Sequence, residues 1–203
     1  MGFVIAFLFS YPSIYSTVTC FLRGKKNLQT AIDTYVQPKP GQKIFDVGCG
    51  TGDLLRFLPS VEYCGFDMDE KYIQYAKKKF GNRGKFFCRK ASKDVVKGNE
   101  LFDAVVVMGV IHHLDDNDAK AISHLAFQVL KPGGRFVMLM DGCYVPEITL
   151  IEKFFLFLDR GAYIRTEQCY RNLITDNFSQ VNITVRHDMF WIPYSTIVVE
   201  CVK

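Results

Sequence analysis

The chain has 203 residues, 49% of them apolar and 23% charged, with 25 Lys and Arg against 21 Asp and Glu for a formal charge of +4. A chain of this size can bury roughly 70% of its unfolded surface in one core, and its composition excludes a disordered or fibrous protein. The small net charge does not by itself point to nucleic acid, and seven dispersed cysteines without a C-x-x-C pair exclude a locally encoded zinc knuckle or dithiol centre.

Residues 1–40 read as an N-terminal helical cap. The apolar run 3–9 has only seven residues, no Lys or Arg before it, and Pro12 soon after it. It therefore reads as an amphipathic edge of the domain rather than a signal or a membrane span, with contact to a membrane surface as the alternative. Residues 43–47 form a buried strand that runs into a glycine cluster, followed by a helix over 53–58. A second strand spans 62–66, and a helix over 70–80 puts Tyr72, Ile73, Ala76 and Phe80 on one face. Strands follow at 85–89 and 102–108, then a helix over 117–130, the turn Lys131-Pro132-Gly133-Gly134, and a fifth strand over 135–140. Helices over 146–158 and 166–177 and closing strands at 181–186 and 195–202 complete seven strands. The alternation predicts one α/β domain with a mostly parallel sheet, helices on both faces, and a ligand at the carboxyl ends of the strands. Its core spans 41–142, with lid helices and closing strands over 143–203.

The chemistry concentrates in Phe45-Asp46-Val47-Gly48-Cys49-Gly50-Thr51-Gly52-Asp53, where a strand meets a glycine-rich turn. Glycines there can take positive φ and let a ligand lie against bare backbone. Fifteen residues after Gly52, Asp67 ends the second strand, where a carboxylate can accept both hydroxyls of a ribose. The acid before G-x-G-x-G, this Asp67, the run Phe102 to Leu114, and Leu130-Lys131-Pro132-Gly133-Gly134 together resemble the class I S-adenosylmethionine-dependent methyltransferases. The likeness is to small-molecule members of the type 11/12 kind.

That resemblance implies a Rossmann-like seven-stranded sheet whose last strand is antiparallel, and S-adenosylmethionine as cofactor with S-adenosylhomocysteine as product. It implies that Gly48, Cys49, Gly50 and Gly52 pass under the methionyl part, with Asp46 near its amino group. Asp67 would hold the ribose, Met68 would cover the adenine, and Met108 and Gly109 would face the methionine side. Many relatives carry an Asp after the third strand, whereas this chain has Ala91, so Ser92 is expected in its place, or else Asp94.

A methyl on a sulfonium is already activated, so a base is needed only where the acceptor must lose a proton. His112 and His113 are the base candidates, set against the alternative that one of them packs the next helix. Adjacent helical positions diverge by ~100°, so at most one is expected to face the cofactor. Asp115, Asp116 and Asp118 read as helix-capping acids, and no metal is expected. Arg160, Tyr163 and Arg165 form a candidate clamp for an anionic substrate group, and Tyr11, Tyr15, Tyr144 and Tyr194 are candidate lid rings. The flanks 1–22 and 144–203 hold 16 of the 29 aromatics, in the segments expected to roof the substrate pocket. The expected function is methyl transfer to oxygen or nitrogen of a small molecule in the cytoplasm. Nucleic acid is disfavoured because no proline follows Met108-Gly109 where base-methylating enzymes carry it. RNA or protein methylation and an inactive cofactor-binding partner subunit are the alternatives.

Overall fold

Short segments rich in apolar residues make the strands β1 (Lys43–Val47), β2 (Glu62–Asp67), β3 (Gly84–Cys88), β4 (Phe102–Met108) and β5 (Leu130–Tyr144). The computed structural model describes residues 24–95, 100–159, 161–174 and 176–203, with Pro12, Ile14, Ser16, Thr17 and Phe21. Tyr11, Tyr15, Cys20 and Arg160 lie outside the described residues. So does the apolar run 3–9. After a two-residue β6 (Arg165–Thr166), the chain closes with β7 (Gln180–Arg186) and β8 (Thr196–Val202).

The sheet order is β3-β2-β1-β4-β5-β8-β7, with β6 paired to the far end of β5. Strands β1 to β5 pair in parallel, and β8 runs antiparallel to both β5 and β7. The seven-stranded path with its antiparallel last strand is the arrangement expected from the sequence. Helix α1 (Lys25–Ala31), which widens into a π-helical turn at Ile32–Val36, and α2 (Glu70–Phe80) cover one face. There Leu28, Ile32, Ile73 and Ala76 pack on Ile44, Val106 and Val137. Helices α3 (Asp116–Val129) and α5 (Glu167–Ile174) cover the other, where Ile122, Ala126, Tyr170 and Leu173 meet Phe45, Val105 and Phe136.

Helix starts follow the capping side chains. Asp69 accepts the Lys71 amide at 2.8 Å, Asp115 accepts the Asp118 amide at 2.9 Å, and Thr149 forms a capping box with Glu152. The Thr149 cap is why α4 spans Leu150–Leu158 instead of starting at 146. The helix expected over 53–58 is a 3-10 turn at Asp53–Phe57. Pro59 forces Leu58 into extended backbone and stops it. Strand β5 is longer than the expected 135–140, because Leu130 already pairs with Phe102 and the chain stays extended to Tyr144.

One irregularity in β5 matters for the site. Between Met138 and Asp141 the pairing with β8 slips, three residues on β5 facing two on β8, and Met140 takes φ 65°. Leu139 and Met140 both pack on the α1/α2 side, whereas Phe136, Met138 and Cys143 pack on the α3/α5 side. This β-bulge puts Asp141 in step with Cys143.

Candidate active site

At the end of β1 the chain turns through Gly48, Gly50 and Gly52, with φ of 68°, 51° and 74°. A Cβ on Gly48 would lie 2.4 Å from the Val110 Cγ2, so the turn requires glycine on steric as well as conformational grounds. The loop is tied to β2: the Cys49 amide donates to the Phe66 carbonyl at 2.9 Å and the Gly50 amide to the Asp67 Oδ2 at 2.8 Å. The other Asp67 oxygen accepts the Asp69 amide at 2.9 Å. This carboxylate therefore joins the glycine turn to the start of α2, at the carboxyl end of the parallel strands.

Asp46 lies beneath the turn and is 2% exposed. Burial pushes its pKa up to about 7, the Tyr63 hydrogen bond opposing and the charge of Asp67 adding. The Tyr63 hydroxyl donates to Asp46 Oδ2 at 2.5 Å, while Oδ1 has no hydrogen-bond partner. A buried acceptor left open beside a glycine cradle suits a cationic amino group. Cys49 packs alongside, its thiol pushed up by burial.

A cleft of about 630 Å³ runs from Gly48 and Phe66 past Asp67 and Met68 to Ala91 and Ser92, with Ile122 and Leu125 of α3 as its far wall. Met68 projects at its edge, 75% exposed. The Ser92 hydroxyl donates to Asp94, which also takes Arg89 Nη1 at 2.6 Å, so this rim is already cross-linked. Met108 and Gly109 do not line the cleft. Met108 packs toward the α1/α2 core, and the Gly109 amide donates to the Leu139 carbonyl at 2.8 Å.

The two histidines stand on a 3-10 turn, Ile111–His113, and their rings lie together although adjacent positions of such a turn diverge. Their ring centroids are 4.1 Å apart. His112 is 5% exposed, and its Nδ1 lies 2.7 Å from Asp141 Oδ1, which also accepts the His112 amide at 3.0 Å. Its Nε2 faces Asp159 Oδ1 at 3.4 Å. Burial would lower the pKa of His112, but the two carboxylates overcome it and push it up to about 9. Burial works against Asp159 as well, yet His112 holds it well below the usual carboxylate range. Ligand atoms of His112, His113 and Asp159 all lie within 4.8 Å of one another, a grouping that leaves out Asp115, Asp116 and Asp118. His113 is the exposed member.

Two residues expected to meet substrate are occupied within the protein. Arg165 is 8% exposed and spends all its donors on the β4–α3 loop and its own segment. Nε and Nη2 reach Asp116, Nη2 also reaches the Leu114 carbonyl at 2.7 Å, and Nη1 reaches the carbonyls of Ile111 and Tyr163. It clasps the loop and has no donor left for a substrate anion. Tyr194 is 5% exposed and donates to Asp159, and burial and the adjacent charge push its pKa up so that the phenol keeps its proton. Tyr144 and Tyr163 stay exposed, at 45% and 44%. Sequence reasoning missed Asp141, whose partner is 29 residues away, and Tyr63, 17 residues from Asp46.

Residues 44–134 match the family described as Methyltransferase domain. The chain is 35% identical over 107 residues to the human protein named Probable tRNA methyltransferase 9B, covering 50% of this chain and 22% of that protein. It is 28% identical over 159 residues to Phosphoethanolamine N-methyltransferase 1 of Arabidopsis thaliana, covering 75% of this chain and 32% of the relative. The chain thus spans less than a third of the length of these two relatives. Among solved structures, Haemonchus contortus phosphoethanolamine N-methyltransferase 2 with phosphomonomethylethanolamine and S-adenosylhomocysteine superposes with a TM-score of 0.65. That match has 17% identity and covers 89% of this chain and 52% of that one.

Proposed function

Since residues 44–134 match the methyltransferase domain family, we propose that this chain transfers a methyl group from S-adenosylmethionine to an oxygen or nitrogen of a small-molecule acceptor. The carrying observation is the glycine cradle closed between two carboxylates, Asp67 bound to the Gly50 amide and Asp46 with a buried open oxygen. When bound, the cofactor supplies a methyl group already activated on a sulfonium. Asp67 is placed to accept the ribose hydroxyls, Asp46 to face the amino group, and Gly48 to let the backbone approach. Met68 and Ser92 border the cleft where the adenine would lie. The remaining task of the chain is to hold the acceptor in line and exclude water.

Supporting a small acceptor, Asp159 and Arg165 are fastened to the β4–α3 loop, the first through His112 and the second through the Leu114 carbonyl. With both His112 nitrogens against carboxylates, the base for an acceptor that must lose a proton falls to the exposed His113. Tyr144 and Tyr163 are the rings left to line the acceptor's approach.

Methylation of RNA is a second reading, favoured by the name of one relative and by Arg89, Lys90 and Lys93 at the cleft rim. Arg89 and Lys90 are paired with Asp94 and Asp118, which weighs against it. Release of S-adenosylhomocysteine, followed over a metabolite panel and over total tRNA, separates the readings. Turnover on metabolites alone supports the proposal, turnover on tRNA alone replaces it, and binding without turnover on either would indicate an inactive partner subunit.

The raised pKa of Asp46 gives a pH test. The ionised carboxylate is the form that receives an ammonium, so affinity for S-adenosylhomocysteine should rise about tenfold per pH unit up to about pH 7 and level off above it. Calorimetry on Asp46→Asn should give a flat profile. Stability runs the other way. The folded pKa of about 7 exceeds the ordinary 3.8, so the contribution of protonated Asp46 is complete below 3.8 and lost as pH rises through about 7. A wild-type affinity that does not change between pH 5.5 and 8, on the order of that window, would remove Asp46 from the cofactor site.

A further inference from the structure

None of the groups assigned above to cofactor or acceptor lies on the outward side of α4. Leu150 and Phe157 are each 83% exposed, Ile151 59% and Phe154 52%, and these positions, i, i+1, i+4 and i+7, share one side of an α-helix. The one acid of the helix, Glu152, points inward, where it accepts the Ser195 hydroxyl at 2.6 Å and closes the capping box with Thr149. Its one cation, Lys153, is exposed. A helix facing water has the opposite arrangement, and a contiguous exposed apolar stripe marks an interaction surface.

The segment 187–195 links this helix to the start of α1. Ser195 binds both Glu152 and His187, the Tyr194 ring lies 5.1 Å from Phe190, and the exposed Trp191 packs against Gly24. A Cβ on Gly24 would lie 2.5 Å from the Trp191 indole nitrogen. Beside Trp191, a recess of about 730 Å³ is lined by Phe21, Lys25, Arg56 and Lys79. Lys25 and the next residue, Lys26, are both exposed. The stripe and Trp191 thus stand on elements joined through Ser195, with Lys153 on the helix itself and Lys25 beside the ring.

We propose that this face docks on the surface of an anionic lipid bilayer. Helix α4 lies in the plane of the interface with its stripe among the acyl chains, Trp191 sits at headgroup depth, and Lys25, Lys26 and Lys153 meet the anionic headgroups. Lys153 on the helix and Lys25 beside Trp191 favour lipid over a second copy of the chain, since a two-fold contact would bring like charges toward one another. With nine residues α4 is far too short to cross a bilayer, and no described helix is long and apolar enough to do so. The docking is independent of the acceptor and is read without cofactor.

The test is sedimentation of the whole chain with vesicles of phosphatidylcholine alone and with about one-third phosphatidylglycerol. The chain should sediment with the anionic vesicles, less so at high salt, and Phe154→Ser/Phe157→Ser should cut partitioning at least about tenfold. Leu150→Glu, which adds an acid to the first turn of the helix, should produce the same loss. Unchanged melting and unchanged S-adenosylhomocysteine affinity in these variants identify the loss as one of surface contact. The proposal is overturned if the wild type stays in the supernatant or if the variants sediment equally. It is also overturned if the wild type is a dimer that the variants convert to monomer, because the stripe then joins copies of the chain.

Discussion

An Asp67→Ala variant should bind S-adenosylhomocysteine about 100-fold or more weakly while folding normally. In the proposed site the carboxylate would make two charge-assisted hydrogen bonds to ribose hydroxyls, each worth about 1.5–3 kcal/mol, and every 1.4 kcal/mol is about a factor of ten. It also holds the Gly50 and Asp69 amides, at 2.8 and 2.9 Å, so its loss loosens the cradle as well as the ligand. Asp67→Asn keeps one acceptor oxygen and should fall between the two. Titration calorimetry measures both, and an alanine variant with wild-type affinity would show that the cleft beside Asp67 is not the cofactor site.

The largest loss of stability is expected from Arg165→Met, about 3–5 kcal/mol, or a fall in Tm of roughly 6–20 °C. Asp116, its charged partner, has a side chain 72% exposed, so the ion pair itself contributes little. The cost lies in the carbonyls of Ile111, Leu114 and Tyr163, which the guanidinium satisfies inside the fold. Arg165→Lys should recover little, since an ammonium lacks the planar fork that reaches three carbonyls and a carboxylate at once. Thermal unfolding decides the matter. A variant that melts like the wild type and loses only turnover would return Arg165 to the substrate.

The strands and the glycine turn were legible because their signals are local. Val105, Val106 and Val107 make a strand by themselves, and Asp46 to Asp53 write a turn whose glycines the backbone needs. Burial of isolated polar residues was not legible. Arg160 and Arg165 around Tyr163 look like an open clamp in a loop, but Arg165 finds its partners 49 to 54 residues away on the β4–α3 loop. His112 reads as a base until Asp141 and Asp159 close on it from two separate elements. Tyr194 reads as a lid ring, and folding spends it on Asp159. At α4 the sequence predicts only a helix, and the tertiary structure tells which of its apolar residues face outward.

The bulge at Met140 sets a rule of length rather than of composition. Alternation along a strand is a two-beat count, and the extra residue between Met138 and Asp141 moves everything after it by one beat. Losing a single codon there would keep nearly every side chain of β5 and yet send Asp141 to the α1/α2 side, away from His112, and reverse Gly142 and Cys143 with it. Genetic drift in this segment can therefore exchange residues, especially for those that accept positive φ, far more readily than it can change their number.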